Sequence, residues 1–132
     1  MKITIGVPIY GGMQPQTFEC LLNLVKDSKH DIHIVIAEHG YTIAENRSYI
    51  AVQALNNKSD YLLFIDADMT FKPTILEDLM SNKKEICGVA YHPRCDTGKI
   101  IKYMDEVTSV AIEESDDPKY KDTFECHATG TG

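Results

Sequence analysis

One segment constrains the fold of this chain more than any other: Tyr61-Leu62-Leu63-Phe64-Ile65, followed at once by Asp66-Ala67-Asp68-Met69. Five consecutive apolar residues, two of them aromatic, have the length and composition of a buried strand. A pair of carboxylates one residue apart closes it. In an open α/β sheet, ligands bind beyond the carboxyl ends of the strands, so such a pair is delivered to the functional edge. Paired acids suit a hard divalent cation, Mg²⁺ or Mn²⁺, which carboxylates hold together with substrate phosphates. The competing role is structural: Asp66 and Asp68 would cap the following turn or the helix that opens near Pro73.

Strands and helices alternate around that segment. Residues 3–7 read as a first strand, followed by the loop Pro8-Ile9-Tyr10-Gly11-Gly12. Pro15 suits the first turn of a helix whose apolar positions Phe18, Leu21, Leu22 and Val25 follow the i, i+3, i+4, i+7 pattern. Residues 32–37 are rich in β-branched side chains and end at Glu38-His39-Gly40. Thr42-Ile43-Ala44-Glu45 is a capping-box pattern that predicts a helix to about residue 55. After the central apolar strand, Pro73 opens a helix carrying Ile75, Leu76, Leu79 and Met80, and residues 86–90 make a fourth strand. This β-α-β-α-β-α-β order implies a mainly parallel sheet with right-handed crossovers. Beyond Tyr91 the pattern weakens. Residues 99–103 and 107–112 read as short strands forming a hairpin, the stretch from Glu113 to Lys119 as a solvated loop, and residues 124–128 as a last strand.

The length of 132 residues predicts one domain over the whole chain, with no internal repeat and no linker. A net charge of -7 argues against a nucleic-acid partner, which would favour a basic face, and means that an anionic ligand needs a metal to offset repulsion. No apolar run reaches the length of a membrane span, and the amino-terminal residues read as a strand, not a secretory signal. Cys20, Cys87, Cys95 and Cys126 show neither a C-x-x-C pair nor a zinc-finger spacing. Cys20 falls among helix apolar positions and Cys87 among strand ones, which predicts buried thiols in a reducing cytoplasm.

In this order the elements resemble the amino-terminal portion of a family 2-type glycosyltransferase, with the Rossmann-like GT-A nucleotide-diphospho-sugar transferase fold. The resemblance rests on Gly6-Val7-Pro8-Ile9-Tyr10, Ala44-Glu45-Asn46-Arg47, Phe64-Ile65-Asp66-Ala67-Asp68-Met69, Gly88-Val89-Ala90-Tyr91-His92-Pro93-Arg94 and Ala128-Thr129-Gly130-Thr131-Gly132. It implies a three-layer α/β/α arrangement and a nucleotide-diphospho-sugar donor, a UDP- or GDP-sugar. Pro8 and Tyr10 would lie against the nucleotide and Glu38 would contact the base. Asp66, Ala67 and Asp68 would form the donor motif, with Asp66 and Asp68 holding Mn²⁺ or Mg²⁺ and the diphosphate. In the second helix, Ala44 and Asn46 match the family's Ala-Arg-Asn pattern, whereas Glu45 stands where that pattern has arginine. Asn46 is counted among the donor contacts, and Arg47, one residue further along and turned by roughly a quarter turn or more, would supply the phosphate-side charge in place of that arginine. The resemblance also implies that the general base and the acceptor surface lie beyond Gly132, so these residues are expected to hold a donor and to be poor at transfer. The acceptor is not specified. The open edge of a truncated sheet would admit a second copy of the chain.

Two other classes compete. Asp66-Ala67-Asp68-Met69-Thr70 also resembles the Asp-x-Asp-x-Thr motif of haloacid dehalogenase-like phosphatases, in which Asp66 would accept the phosphoryl group and Asp68 would act as acid/base with Mg²⁺. That motif normally follows the first strand of its domain and needs a later acidic pair, for which Asp116-Asp117 is the only candidate. The other class is a non-catalytic α/β module whose acids serve as caps. His92 and Arg94 could face donor or acceptor, or simply belong to a polar loop begun by Pro93.

Overall fold

The computed structural model describes residues 1–38, 40, 42–89, 101–104 and 111–113. The chain is α/β and divides into two compact units, Met1–Asp78 and Leu79–Gly132. In the first, β1 (Lys2–Pro8), α1 (Pro15–Asp27), β2 (Asp31–Ala37), α2 (Ile43–Asn56) and β3 (Tyr61–Phe64) follow in turn, and α3 (Ile75–Ser81) begins near its end. All three strands are parallel, in the order β2-β1-β3. This arrangement is compatible with a Rossmann-like fold. In the second unit, β4 (Ile101–Met104) and β5 (Ala111–Glu113) pair antiparallel, which agrees with the hairpin expected there.

β1 is the central strand, paired with β2 on one side and β3 on the other. Every residue from Ile3 to Pro8 is buried, so both faces of the strand are covered. The Thr4-Gly6-Pro8 face receives α2. Gly6 has no side chain, and a Cβ there would collide with Cγ2 of Ile50. Ile50 packs with Val35 and Ala37, and Leu62 lies against the cluster. The opposite face presents Ile3, Ile5 and Val7, each fully buried. Thr4, a buried hydroxyl in this core, exchanges a 2.7 Å hydrogen bond with Ser59, so its polarity is satisfied.

α2 has well-defined ends. Thr42 Oγ1 accepts from the Glu45 amide at 3.2 Å, and the Glu45 carboxylate accepts from the Thr42 amide at 2.9 Å, which completes the capping box. At the other end, the Lys58 amide donates to Leu55 O and the Ser59 amide to Ala54 O, at 2.9 and 3.1 Å. This is a Schellman closure, with Lys58 at φ 53° in the left-handed position that glycine usually occupies.

Four expectations are corrected. The run Tyr61–Ile65 is a strand but not a buried one: β3 stands at the end of the sheet order, paired only with β1, and Tyr61 and Phe64 are exposed while Ile65 alone is buried. In α1 the buried stripe is Thr17, Leu21 and Leu24, whereas Phe18, Leu22 and Val25 are exposed. The helix is rotated so that the hydroxyl of Thr17 reaches inward, a tertiary preference that apolar periodicity cannot register. Residues 86–89 form no strand, and Ile86 is almost fully exposed. Strand propensity counts only where a neighbouring strand pairs with it. Cys20 and Cys87 are free thiols but only half-buried, on the helix flank and in this irregular segment. Ala90, His92, Arg94, Cys95, Cys126, the 113–119 loop beyond Glu113, the expected strand at 124–128 and the segment 128–132 lie outside the described residues.

Candidate functional site

The strand order defines where a site can form. From β1 the chain moves to β2 on one side, and β3 then pairs on the other, so β1 is the point at which the winding reverses. Beyond the carboxyl ends of strands that flank such a reversal lies the crevice that α/β proteins use for ligands. The residues that converge there come from the β1–α1 loop, the end of β2, the start of α2 and the turn after β3.

The Asp66–Asp68 turn is built by backbone bonds. The Ile65 amide donates to Gly6 O at 2.9 Å, which continues the alignment of β3 with β1. The Met69 amide then donates to Asp66 O at 3.3 Å, closing a four-residue turn with the acids at its first and third positions. Between them, the Ala67 carbonyl accepts from the Gln14 amide at 2.9 Å and from Thr17 Oγ1 at 3.0 Å. Gln14 is the N-cap of α1, and Thr17 is fully buried. The first turn of α1 therefore fixes the peptide between the two acids. Sequence reasoning missed this pair. Its trace is the i, i+4, i+7 spacing of Thr17, Leu21 and Leu24, hidden by the bulkier Phe18 stripe.

Asn46 links the other two loops. It is fully buried; its Nδ2 donates to Ile9 O at 2.9 Å and its Oδ1 accepts from the Gly40 amide at 2.8 Å. Ile9 is itself tied to β2 through Ile9 N to Ala37 O at 2.8 Å. One amide thus sets the exit of β1 relative to the segment after β2. A Cβ on Gly40 would collide with Glu45 Cβ, so the chain can come this close only because position 40 is glycine.

Arg47, the next residue, extends to the aspartate turn, with Nη2 3.1 Å from Asp66 Oδ1 and the two side chains 29% and 31% exposed. Glu45 is instead committed to the helix cap. Pro8 is buried as the last residue of β1, while Glu38, just beyond β2, is exposed. Tyr10 is 75% exposed, leaving its ring free to meet a ligand face. Gly11 and Gly12 follow with φ of 82° and 126°, values that glycine adopts without steric penalty, and they turn the chain back toward α1.

The donor set suits a hard cation. Asp66 and Asp68 offer only carboxylate oxygens and are both half-buried, and Asp66 already draws the guanidinium of Arg47. Among the described residues no group of three or more His, Cys, Asp or Glu gathers as a metal cage, so further ligands would come from water and phosphate, as Mg²⁺ sites commonly arrange. A separate shallow groove of about 300 Å³, bounded by Ala51, Leu55, Asp60 and Tyr61, lies by the start of β3. Its wall is apolar apart from a few polar tips, and it lacks the paired acids and the arginine. Among the described residues no helix is long and apolar enough to cross a membrane.

Comparisons with protein-family models, with curated proteins and with solved structures returned no match.

Proposed function

We propose that this chain carries the nucleotide-diphospho-sugar site of a GT-A-type, family 2-like glycosyltransferase that acts in the cytoplasm with a sheet enclosed between two helical layers. The observation that carries the reading is the pairing of Arg47 with Asp66, in the turn that also carries Asp68, at the carboxyl edge of a parallel sheet beside its winding reversal. A site for a sugar diphosphate needs cationic groups where the leaving phosphate gathers charge, and a flat surface for the base. Arg47 supplies a permanent positive charge with forked donors that match phosphate oxygens. Exposed Tyr10 supplies a ring against which a base can stack, and Glu38 an acceptor for a base N–H. Asp66 and Asp68 would hold Mn²⁺ or Mg²⁺, which when bound supplies Lewis-acid stabilisation of the departing diphosphate. Asn46 and Thr17 keep these groups in register without touching the ligand.

Transfer also requires a base to take the proton from the acceptor hydroxyl. The residues assembled at this edge bind and orient the donor, and we assign them no part in that step. The phosphatase alternative gains no observation in its favour. Its motif would follow the first strand, whereas Asp66 follows the third, and Asp116-Asp117 lies outside the described residues.

Calorimetric titration with UDP and with GDP, each with and without Mn²⁺, tests the reading. Metal-dependent binding of one nucleotide, abolished by Asp68→Asn with folding stability retained, is the expected result. Turnover of a generic phosphomonoester, lost in Asp66→Asn, would replace it with the phosphatase reading.

A further inference from the structure

We propose that Arg47 is a built-in counter-cation that couples the two ligands of this site: it occupies Asp66 in their absence and moves to the diphosphate when nucleotide and metal arrive together. The inference rests on the donor-site reading above and adds to it an order of binding energetics.

Both ends of the Arg47–Asp66 contact are held by the backbone. Asp66 is fixed by the bonds from Ile65 to Gly6 and from Met69 back to Asp66, and Arg47 follows the buried, doubly bonded Asn46 on a capped helix. The longer and more adjustable of the two side chains is that of Arg47, which is 29% exposed. Asp66 Oδ1, with its side chain 31% exposed, is half withdrawn from water and engages that cation at 3.1 Å. A divalent ion arriving alone must displace the guanidinium or bind against its charge, and either weakens its hold. A nucleoside diphosphate changes the balance, because its oxygens accept the same forked donors that the carboxylate accepts. Once Arg47 turns to phosphate, Asp66 is free for the metal. Metal and nucleotide therefore strengthen each other, and by linkage each does so by the same factor.

The test compares the full chain with Arg47→Gln and Arg47→Lys, after urea denaturation has verified that each variant is folded. Mn²⁺ affinity is read from the electron-spin signal of the free ion, first alone and then with saturating UDP or GDP. Removing a unit charge near the ion, at contacts about a third exposed to solvent, is expected to tighten Mn²⁺ alone about tenfold in Arg47→Gln. The same variant should bind nucleotide more weakly and show less metal–nucleotide coupling, while Arg47→Lys, which keeps the charge and loses the forked donors, should bind Mn²⁺ alone as weakly as the unmodified chain and retain only part of the coupling. Unchanged or weaker Mn²⁺ binding in Arg47→Gln would overturn the inference while leaving the donor-site reading intact. Equal tightening in both variants would also overturn it, since charge would not be the cause. Absence of Mn²⁺ and nucleotide binding in all three proteins would remove the donor-site reading and this inference with it.

Discussion

Replacing Asn46 with alanine should damage the candidate site more than any surface change of similar size. The side chain is fully buried and makes two bonds to loops distant in sequence, at 2.9 Å to Ile9 O and 2.8 Å from the Gly40 amide. Alanine abolishes both and adds no partner for either backbone group. A buried polar group left unsatisfied costs about 1–3 kcal/mol. Ile9 is buried and stands toward the upper part of that range, while Gly40 is half-exposed and can recruit water, placing it near the bottom. Together they predict a loss of about 2–4 kcal/mol. With a urea m-value of about 2 kcal/mol per molar, the midpoint should fall by about 1–2 M. Asn46→Asp separates the two bonds, since a carboxylate still accepts from Gly40 but opposes the Ile9 carbonyl at neutral pH. Burial raises the folded-state pKa of the introduced acid. Its penalty is therefore smallest below the unfolded aspartate value of about 3.9 and grows as pH rises through the folded pKa. Urea denaturation followed by far-ultraviolet circular dichroism measures both variants. A loss below about 1 kcal/mol in Asn46→Ala would refute the view that this amide braces the edge of the sheet.

Three further outcomes follow from particular contacts. Gly6→Ala should destabilise by about 1–3 kcal/mol through overpacking against Ile50, and combining it with Ile50→Ala should cost clearly less than the sum of the single changes; strict additivity in the cycle would disprove the contact. Lys58→Gly should stabilise by about 0.5–1 kcal/mol, since it relieves a left-handed residue at φ 53°, and a loss in thermal denaturation would contradict the Schellman assignment. Glu77 has its carboxyl pKa lowered, first by a hydrogen bond from Lys29 and then by the charges of Lys29 and His30, against some opposing desolvation. A depressed acid contributes stability above its unfolded value of 4.5 and loses it as pH falls through the folded pKa. Glu77→Gln should therefore be less stable than the parent at pH 7, with the difference closing toward pH 3, and a gap that widened in acid would reverse the sign of this account.

Legibility in the sequence followed how local the cause was. The capping box at Thr42 and Glu45, the proline opening α1 and the apolar run of β3 are short-range signals, and the structure places those elements within a residue or two of expectation. The face that α1 buries was not legible, because Phe18 and Thr17 are adjacent and only the Ala67 carbonyl selects the hydroxyl. The strand expected at residue 86 failed for a related reason: its apolar residues carry propensity, while pairing is decided elsewhere. At the site, Asp66 and Asp68 were visible as a pair in sequence. The reach of Arg47 to Asp66 spans 19 positions and the brace from Asn46 to Ile9 spans 37, and no local pattern encodes either. Asn46 stood among the expected donor contacts; in the folded chain its amide is engaged in joining two loops.

If the proposed site is real, nucleotide and metal meet at the carboxyl edge of β1 and β3. A nitrogen-15 correlation spectrum of the chain, titrated with substoichiometric Mn²⁺ in the presence of UDP or GDP, reads that location residue by residue. The expected paramagnetic broadening is strongest at the amides of Asp66–Met69, extends to the neighbouring Gln14, Thr17 and Arg47 and fades with distance from that turn, and Asp68→Asn removes it. Broadening centred instead on Asp60, Leu55 and Tyr61, or spread evenly over exposed acids, would contradict it.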